Sequence, residues 1–286
     1  MKIILSRKGF DSSPGNGRNP SPIFPDGTLV SLPIPEKTRN SRAPRYKELW
    51  AGEHNLGRLV TDLTGGEITG DDRAHLDPDL AAQCRPVRPA GWRPQFGQVA
   101  AAESHLRHQG VSAGDLFLFF GWFRAVTSQN GRYRYVAGSP DLHVLFGWLQ
   151  IDRRVRLGEG EQPPHWSFDH PHFYRPGYPQ ANNSLYLATA QLSIPGQKMN
   201  RPGAGLFSHF SPQYCLTAPG SSRSIWQLPA WFFPGQNRPP LSYHHRAERW
   251  TLENDHVRLR SVGRGQEFVF DGDHYPQAYA WLAALL

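Results

Sequence analysis

Ile3, Ile4 and Leu5 are consecutive apolar residues near the start of the chain. A run without alternation predicts a strand covered on both faces, here over residues 2–8. Thr28–Ile34 (TLVSLPI) alternates apolar with polar and predicts a second strand, stopped by Pro35. Asn55–Leu63 fits a short helix. Phe96–Gln109 fits a longer one, with Val99, Ala102 and Leu106 on one side and Gly110 as the stop. Strand patterns rich in aromatic and β-branched residues follow at 115–124, 133–136, 143–151 and 184–192. Residues 225–232, 250–252, 257–262 and 267–270 predict a late meander, and 275–286 (YPQAYAWLAALL) a closing amphipathic helix. Residues 12–27 and 195–213 are Gly/Pro loops, and 64–95 has no regular period. The expected class is α+β: a mixed or antiparallel sheet with a barrel-like core and few helices, one of them C-terminal. No βα alternation supports a doubly wound fold. A single domain over 1–286 is expected, with a β-rich subregion at 113–194.

Composition narrows this reading. The 28 Gly and 26 Pro in 286 residues favour loops and short strands over long helices. No run of 18 apolar residues exists, so no membrane association is expected. Two cysteines, Cys84 and Cys215, with no CxxC, predict neither a disulfide framework nor a cysteine zinc site. A reduced, cytoplasmic protein is the expectation. The net charge of +7 is unevenly placed. Residues 1–47 carry nine basic and three acidic residues, and 48–81 carry two basic and eight acidic. A basic leading segment points to phosphate, nucleotide or nucleic acid as partner.

Three stretches carry candidate chemistry. SRKGFDSS lies where the first strand meets a loop, a place where a rigid element exposes polar groups. Ser6, Arg7, Ser12 and Ser13 are candidate substrate contacts, and Lys8 and Asp11 candidate catalytic groups. Arg7 and Lys8 point to opposite faces of an extended chain, so one of them faces a given ligand. In AHLDPDL, His75, Asp77 and Asp79 alternate and share a face if extended. With His172 of FDHPHF, which also holds His170, the set His75, Asp77 and His172 makes a two-His, one-carboxylate site suited to a divalent metal, iron or zinc. Asp79 joins Asp11 as a candidate base. The third stretch is a pair of Phe-Gly-Trp strands at 120–122 and 146–148. Trp122, Arg124 and Trp148 could form a stacking wall for a base, and Asn183 could read a base edge. Packing and turn chemistry account for these residue types equally well.

SRKGFDSSPG, PSPIFPDGTLVSLPIP, HLDPDL, GDLFLFFGWFR, HVLFGWLQI, HPHF, NNSLYLA, WQLPAWF and GQEFVFD occur in that order along the chain. In these stretches the chain resembles the nucleotide modification associated domain 3 family over almost its whole length. The resemblance implies a setting among phage and bacterial genes that modify DNA bases. DNA is then a more fitting partner than RNA, and the activity an enzymatic change to a nucleobase or nucleotide. It implies no established catalytic residues. Residues 113–172 also look like PUA-like or EVE-like domains, which bind nucleic acid, some through an aromatic cage. That likeness implies the alternative of a module that reads a modified base, with Trp122 or Trp148 in the cage.

Overall fold

Ile3, Ile4 and Leu5 are all fully buried, because their strand has a neighbour on each side and a packed layer on each face. A computed structural model describes residues 1–10, 19–36, 42–174, 181–235, 237–263 and 265–286. Asp11, Ser12 and Ser13 lie outside the described residues. The strands are β1 (Lys2–Arg7), β2 (Ser21–Ile23), β3 (Ile34–Pro35), β4 (Trp50–Ala51), β5 (His54–Asn55), β6 (Ala74–His75), β7 (Gln95–Val99) and β8 (Leu116–Gln129). They continue with β9 (Arg132–Tyr135), β10 (Leu142–Val155), β11 (Asn183–Ala188), β12 (Ala204–Leu206), β13 (Ile225–Pro229), β14 (Trp250–Leu252), β15 (His256–Arg260) and β16 (Glu267–Asp271). The α-helices are α1 (Leu56–Leu63), α2 (Ala100–His108), α3 (Pro171–Tyr174) and α4 (Gln277–Leu285).

Among the described residues the main sheet has nine strands along the path β16-β1-β8-β10-β11-β7, with β2 and β9 on β8 and β12 on β10. β1 and β2 run parallel to β8, and the other pairings are antiparallel. The fold is thus α+β with a mixed sheet, as its pattern predicts. The period of two sorts the side chains into two cores. Ile3, Leu5, Leu118 and Phe120 face the small sheet β13-β15-β14 and helix α4. Ile4, Phe117, Phe119, Phe96 and Tyr186 fill the other face. A third core gathers Phe10, Val30, Leu32 and Tyr46 around the buried side of α1, whose Asn55 cap accepts from the Arg58 N–H.

The sheet is not a closed barrel, since its end strands β7 and β16 share no ladder. Their side chains nonetheless meet. Gln98 of β7 donates to Glu267 Oε1 of β16, and Lys8 Nζ reaches the same oxygen at 2.9 Å. The sheet therefore curls until its two ends touch through this polar bridge. Among the described residues no helix is long and apolar enough to cross a membrane.

Two elements differ from the sequence expectation. Residues 28–33 form isolated bridges and loop rather than a strand, Pro35 lies within the short β3 instead of ending a strand, and the ladder to β8 is made by Ser21–Ile23. Residues 96–99 are strand, and the helix starts at Ala100. The helical period of Val99, Ala102 and Leu106 extends backwards by chance into a segment that the β11 edge recruits. Pairing with an available edge overrides local propensity.

β8 needs glycine at position 121, because an added Cβ would lie 2.5 Å from the Lys8 carbonyl oxygen. Gly121→Ala is expected to lose about 1–3 kcal/mol in urea denaturation. Gly263→Ala, which meets nothing within 4 Å, should stay within about 0.5 kcal/mol.

Candidate metal centre

The segment after β6 runs alongside β7. Asp79 and Gln95 exchange backbone hydrogen bonds of 2.9 and 3.0 Å, and two residues along the Gly97 N–H donates to Asp77 Oδ1 at 2.9 Å. His75 is fixed just before, where β6 pairs with β3. The 171–174 turn of helix brings His172 down onto β7 from the other side. Gly97 makes this approach possible, since a Cβ there would stand 2.3 Å from the His172 ring. His75, Asp77 and His172 thereby meet although 95 residues separate the motifs, and their ligating atoms lie within 4.8 Å of one another.

The hydrogen bonds around these residues set the tautomers. His75 Nδ1 lies 3.1 Å from Glu36 Oε2, so it carries the proton and donates. Asn183 donates its amide N–H to the His172 carbonyl at 2.9 Å, which turns its oxygen towards His172 Nδ1 at 3.0 Å; that nitrogen too must carry the proton. Both rings then present an Nε2 lone pair to Asp77 Oδ2, at 3.9 Å from His75 and 3.4 Å from His172. His170 is the reverse. Its Nδ1 accepts the His172 N–H at 3.3 Å, so the proton of the neutral ring sits on Nε2, 3.4 Å from Asp77 Oδ1. One carboxylate oxygen is thus held by Gly97 and faced by His170, while the other looks at two imidazole lone pairs.

These groups are almost withdrawn from water, with side-chain exposures of 6% for His75 and Asp77, 3% for His172 and 0% for His170. Burial pushes His75 down, against the opposing hydrogen bond that it donates to Glu36, and so favours the neutral ring. Burial alone would raise Asp77, but the donor side of the His170 ring facing Oδ1 holds it below the usual carboxylate range. Three electron-pair donors with an anionic charge converge in a dry place. That set suits a divalent cation: bonds of about 2.1 Å put neighbouring ligands about 3 Å apart, a short contraction from the observed spacings. Glu36 and Asn183 are the outer partners such ligands require.

Asp77 also lines a cleft of about 670 Å³, walled by Ser31, Trp50, His54, Leu80 and Phe207 among others. Trp50 and Leu206 keep 40% and 42% of their surface exposed at its walls. Gly9, at the end of the first strand, lines the same cleft. Asp79 lies on it too, with its carboxylate gripped by Arg88 at 2.6 and 2.7 Å, while the Arg88 guanidinium stacks 4.2 Å over Trp92. Burial pushes Asp79 up and Arg88 pulls it back.

The other sequence candidates are spread out. Lys8 is buried inside the curled sheet, paired with Glu267 and 4.8 Å above the Phe96 ring, on the β7 face opposite His172. Ser6 is buried on that same inner face, and Arg7 points to the other side of β1. Trp122 donates to Asp141 at 2.9 Å and carries the Arg223 guanidinium 3.8 Å over its ring. Arg124 bonds Ser139, and Trp148 is packed in the core against Phe207. None of these lines the cleft. Asn183 touches the centre through His172. Sequence reading passed over Glu36, His170 as a partner of Asp77, and the strand Gln95–Val99. The one available signal was the first histidine of DHPH.

Arg88→Ala leaves a buried carboxylate without its cation and should cost about 3–5 kcal/mol in urea denaturation. The double variant Asp79→Asn/Arg88→Met should recover most of that loss, because no charge then remains uncompensated.

No curated protein and no solved structure matches the chain. One family model does match, described as nucleotide modification associated domain 3, over residues 2–271 of 286. The chain therefore belongs to the nucleotide modification associated domain 3 family.

Proposed function

We propose that the protein is a metal-dependent enzyme that modifies a nucleobase or nucleotide held in the cleft beside Asp77. The observation that carries this reading is the convergence of His75 Nε2, His172 Nε2 and Asp77 Oδ2, each backed by its own outer partner. A bound divalent ion, iron or zinc, would supply Lewis acidity or activate water or oxygen at positions that three protein ligands leave open. The chain's own groups do the rest. Glu36 and Asn183 hold the Nδ1 side of both imidazoles and aim their Nε2 atoms at Asp77. The Gly97 N–H takes up Asp77 Oδ1, which His170 faces, and leaves Oδ2 for the ion. Asp79, locked by Arg88, holds the segment against β7 and shapes the cleft wall.

The cleft suits a single base. Its volume falls within the about 300–1,000 Å³ of small-molecule sites, and Trp50 offers an indole face. A base in duplex DNA would have to leave the stack to enter, whereas a base in a single strand or a free nucleotide would not. The family's association with nucleotide modification supports this class of substrate.

Metal analysis of the purified protein should find about one divalent ion per chain. His75→Ala, Asp77→Ala and His172→Ala should each abolish it. His170→Ala should retain binding, weakened by about 10-fold, as expected for an outer partner. Metal-free protein that binds a DNA probe, and loses it on Trp122→Ala, would favour a base-reading module instead.

A further inference from the structure

Gln95 is fully buried, and neither atom of its side-chain amide has a hydrogen-bond partner among the described residues. Such a group is rare, because an unmet buried amide costs about 1–3 kcal/mol. It sits on β7 two residues before Gly97, so strand alternation sends both to the same face. That face is the one against which the His172 ring lies. Two further buried atoms, in the segment that leads into His172, are also unmet: Ser167 Oγ, and His170 Nε2, whose 3.4 Å contact with Asp77 is not a well-formed hydrogen bond. Ser167 belongs to the turn that sets His170, through the His170 N–H to Ser167 carbonyl bond of 2.9 Å.

Three unmet polar groups around one cluster of metal-type donors call for a polar guest. We infer that Gln95, Ser167 and His170 line an enclosed chamber that holds water bound to the ion, with Gln95 as its principal outer partner. This rests on the metal reading above. An amide can donate to and accept from a water molecule, and a hydroxyl can do the same. Gln95 is then a positioning residue: it touches the ion only through its water.

Physics gives the test two opposed expectations. If Gln95 has no guest, replacing it by an apolar residue of similar size removes an unmet group and leaves Mn(II) affinity unchanged. If it holds ion-bound water, the same change weakens ion binding by about 10–100-fold. The experiment titrates Mn(II) into wild type, Gln95→Leu and Ser167→Ala by calorimetry. It also records the thermal midpoint of each metal-free protein and the water-proton relaxation of each Mn(II) complex. Expected are a metal-free Gln95→Leu midpoint at or above wild type, Mn(II) affinity at least 10-fold lower, and altered relaxation. Ser167→Ala should change in the same direction by less. Mn(II) affinity within twofold of wild type in Gln95→Leu, with unchanged relaxation, would overturn the inference while leaving the metal reading intact. Failure of wild type to bind Mn(II), Fe(II) or Zn(II) would overturn both. Should leucine prevent folding, Gln95→Met is judged by the same two readouts.

Discussion

A carboxylate removed from water must be answered by a positive charge or by donors. Asp77 is where this protein meets that demand. Its Oδ1 is answered by a backbone N–H and faced by a protonated imidazole nitrogen, but its Oδ2 faces lone pairs on His75 and His172. Glu36 and Asn183 enforce that arrangement by claiming the Nδ1 protons. A site built only for stability would turn one ring over and let it donate to the carboxylate. Here the outer bonds prevent that turn, so donor atoms are kept pointing at one another. The natural resolution is a cation between them.

The rest of the fold serves to bring these groups together. β1, β8 and β10 form a rigid middle with cores on both faces, and β11 and β7 extend it. The bridge from Lys8 and Gln98 to Glu267 ties the curled sheet's two ends. β7 is the shared wall. Its inner residues Phe96 and Gln98 lie on the core side, while Gly97 lets the His172 ring approach and donates its N–H to Asp77. Of the polar groups around the end of the first strand that read as ligand contacts in the sequence, Lys8 works inside the sheet, and the neighbouring Gly9 lines the cleft.

Much of the main sheet was legible, because 115–124, 143–151 and 184–192 carry long aromatic and β-branched runs that no helix would bury as well. His75, Asp77 and His172 were legible as a candidate set from residue type and the i, i+2 spacing within each motif, and the fold brings them together. Their outer partners were not. Glu36 and Asn183 are ordinary polar residues until the chain folds, and only position tells them from surface groups. β7 was hidden by a helical period running through it, since the partner that makes it a strand lies about ninety residues away. Asp79 carried the right chemistry for a base, and only Arg88, nine residues on, shows that its carboxylate is already engaged. Trp122 looked like a stacking face, and the residue covering it comes from Arg223, 101 positions later.

The most direct test of the central claim is anomalous diffraction from crystals grown with the metal that copurifies. The account requires one peak bonded at about 2.0–2.2 Å to His75 Nε2, His172 Nε2 and an Asp77 oxygen, with His75 Nδ1 still on Glu36 and His172 Nδ1 still on Asn183. A well-ordered crystal with no peak there, and with either imidazole turned to donate its proton to Asp77, would contradict it.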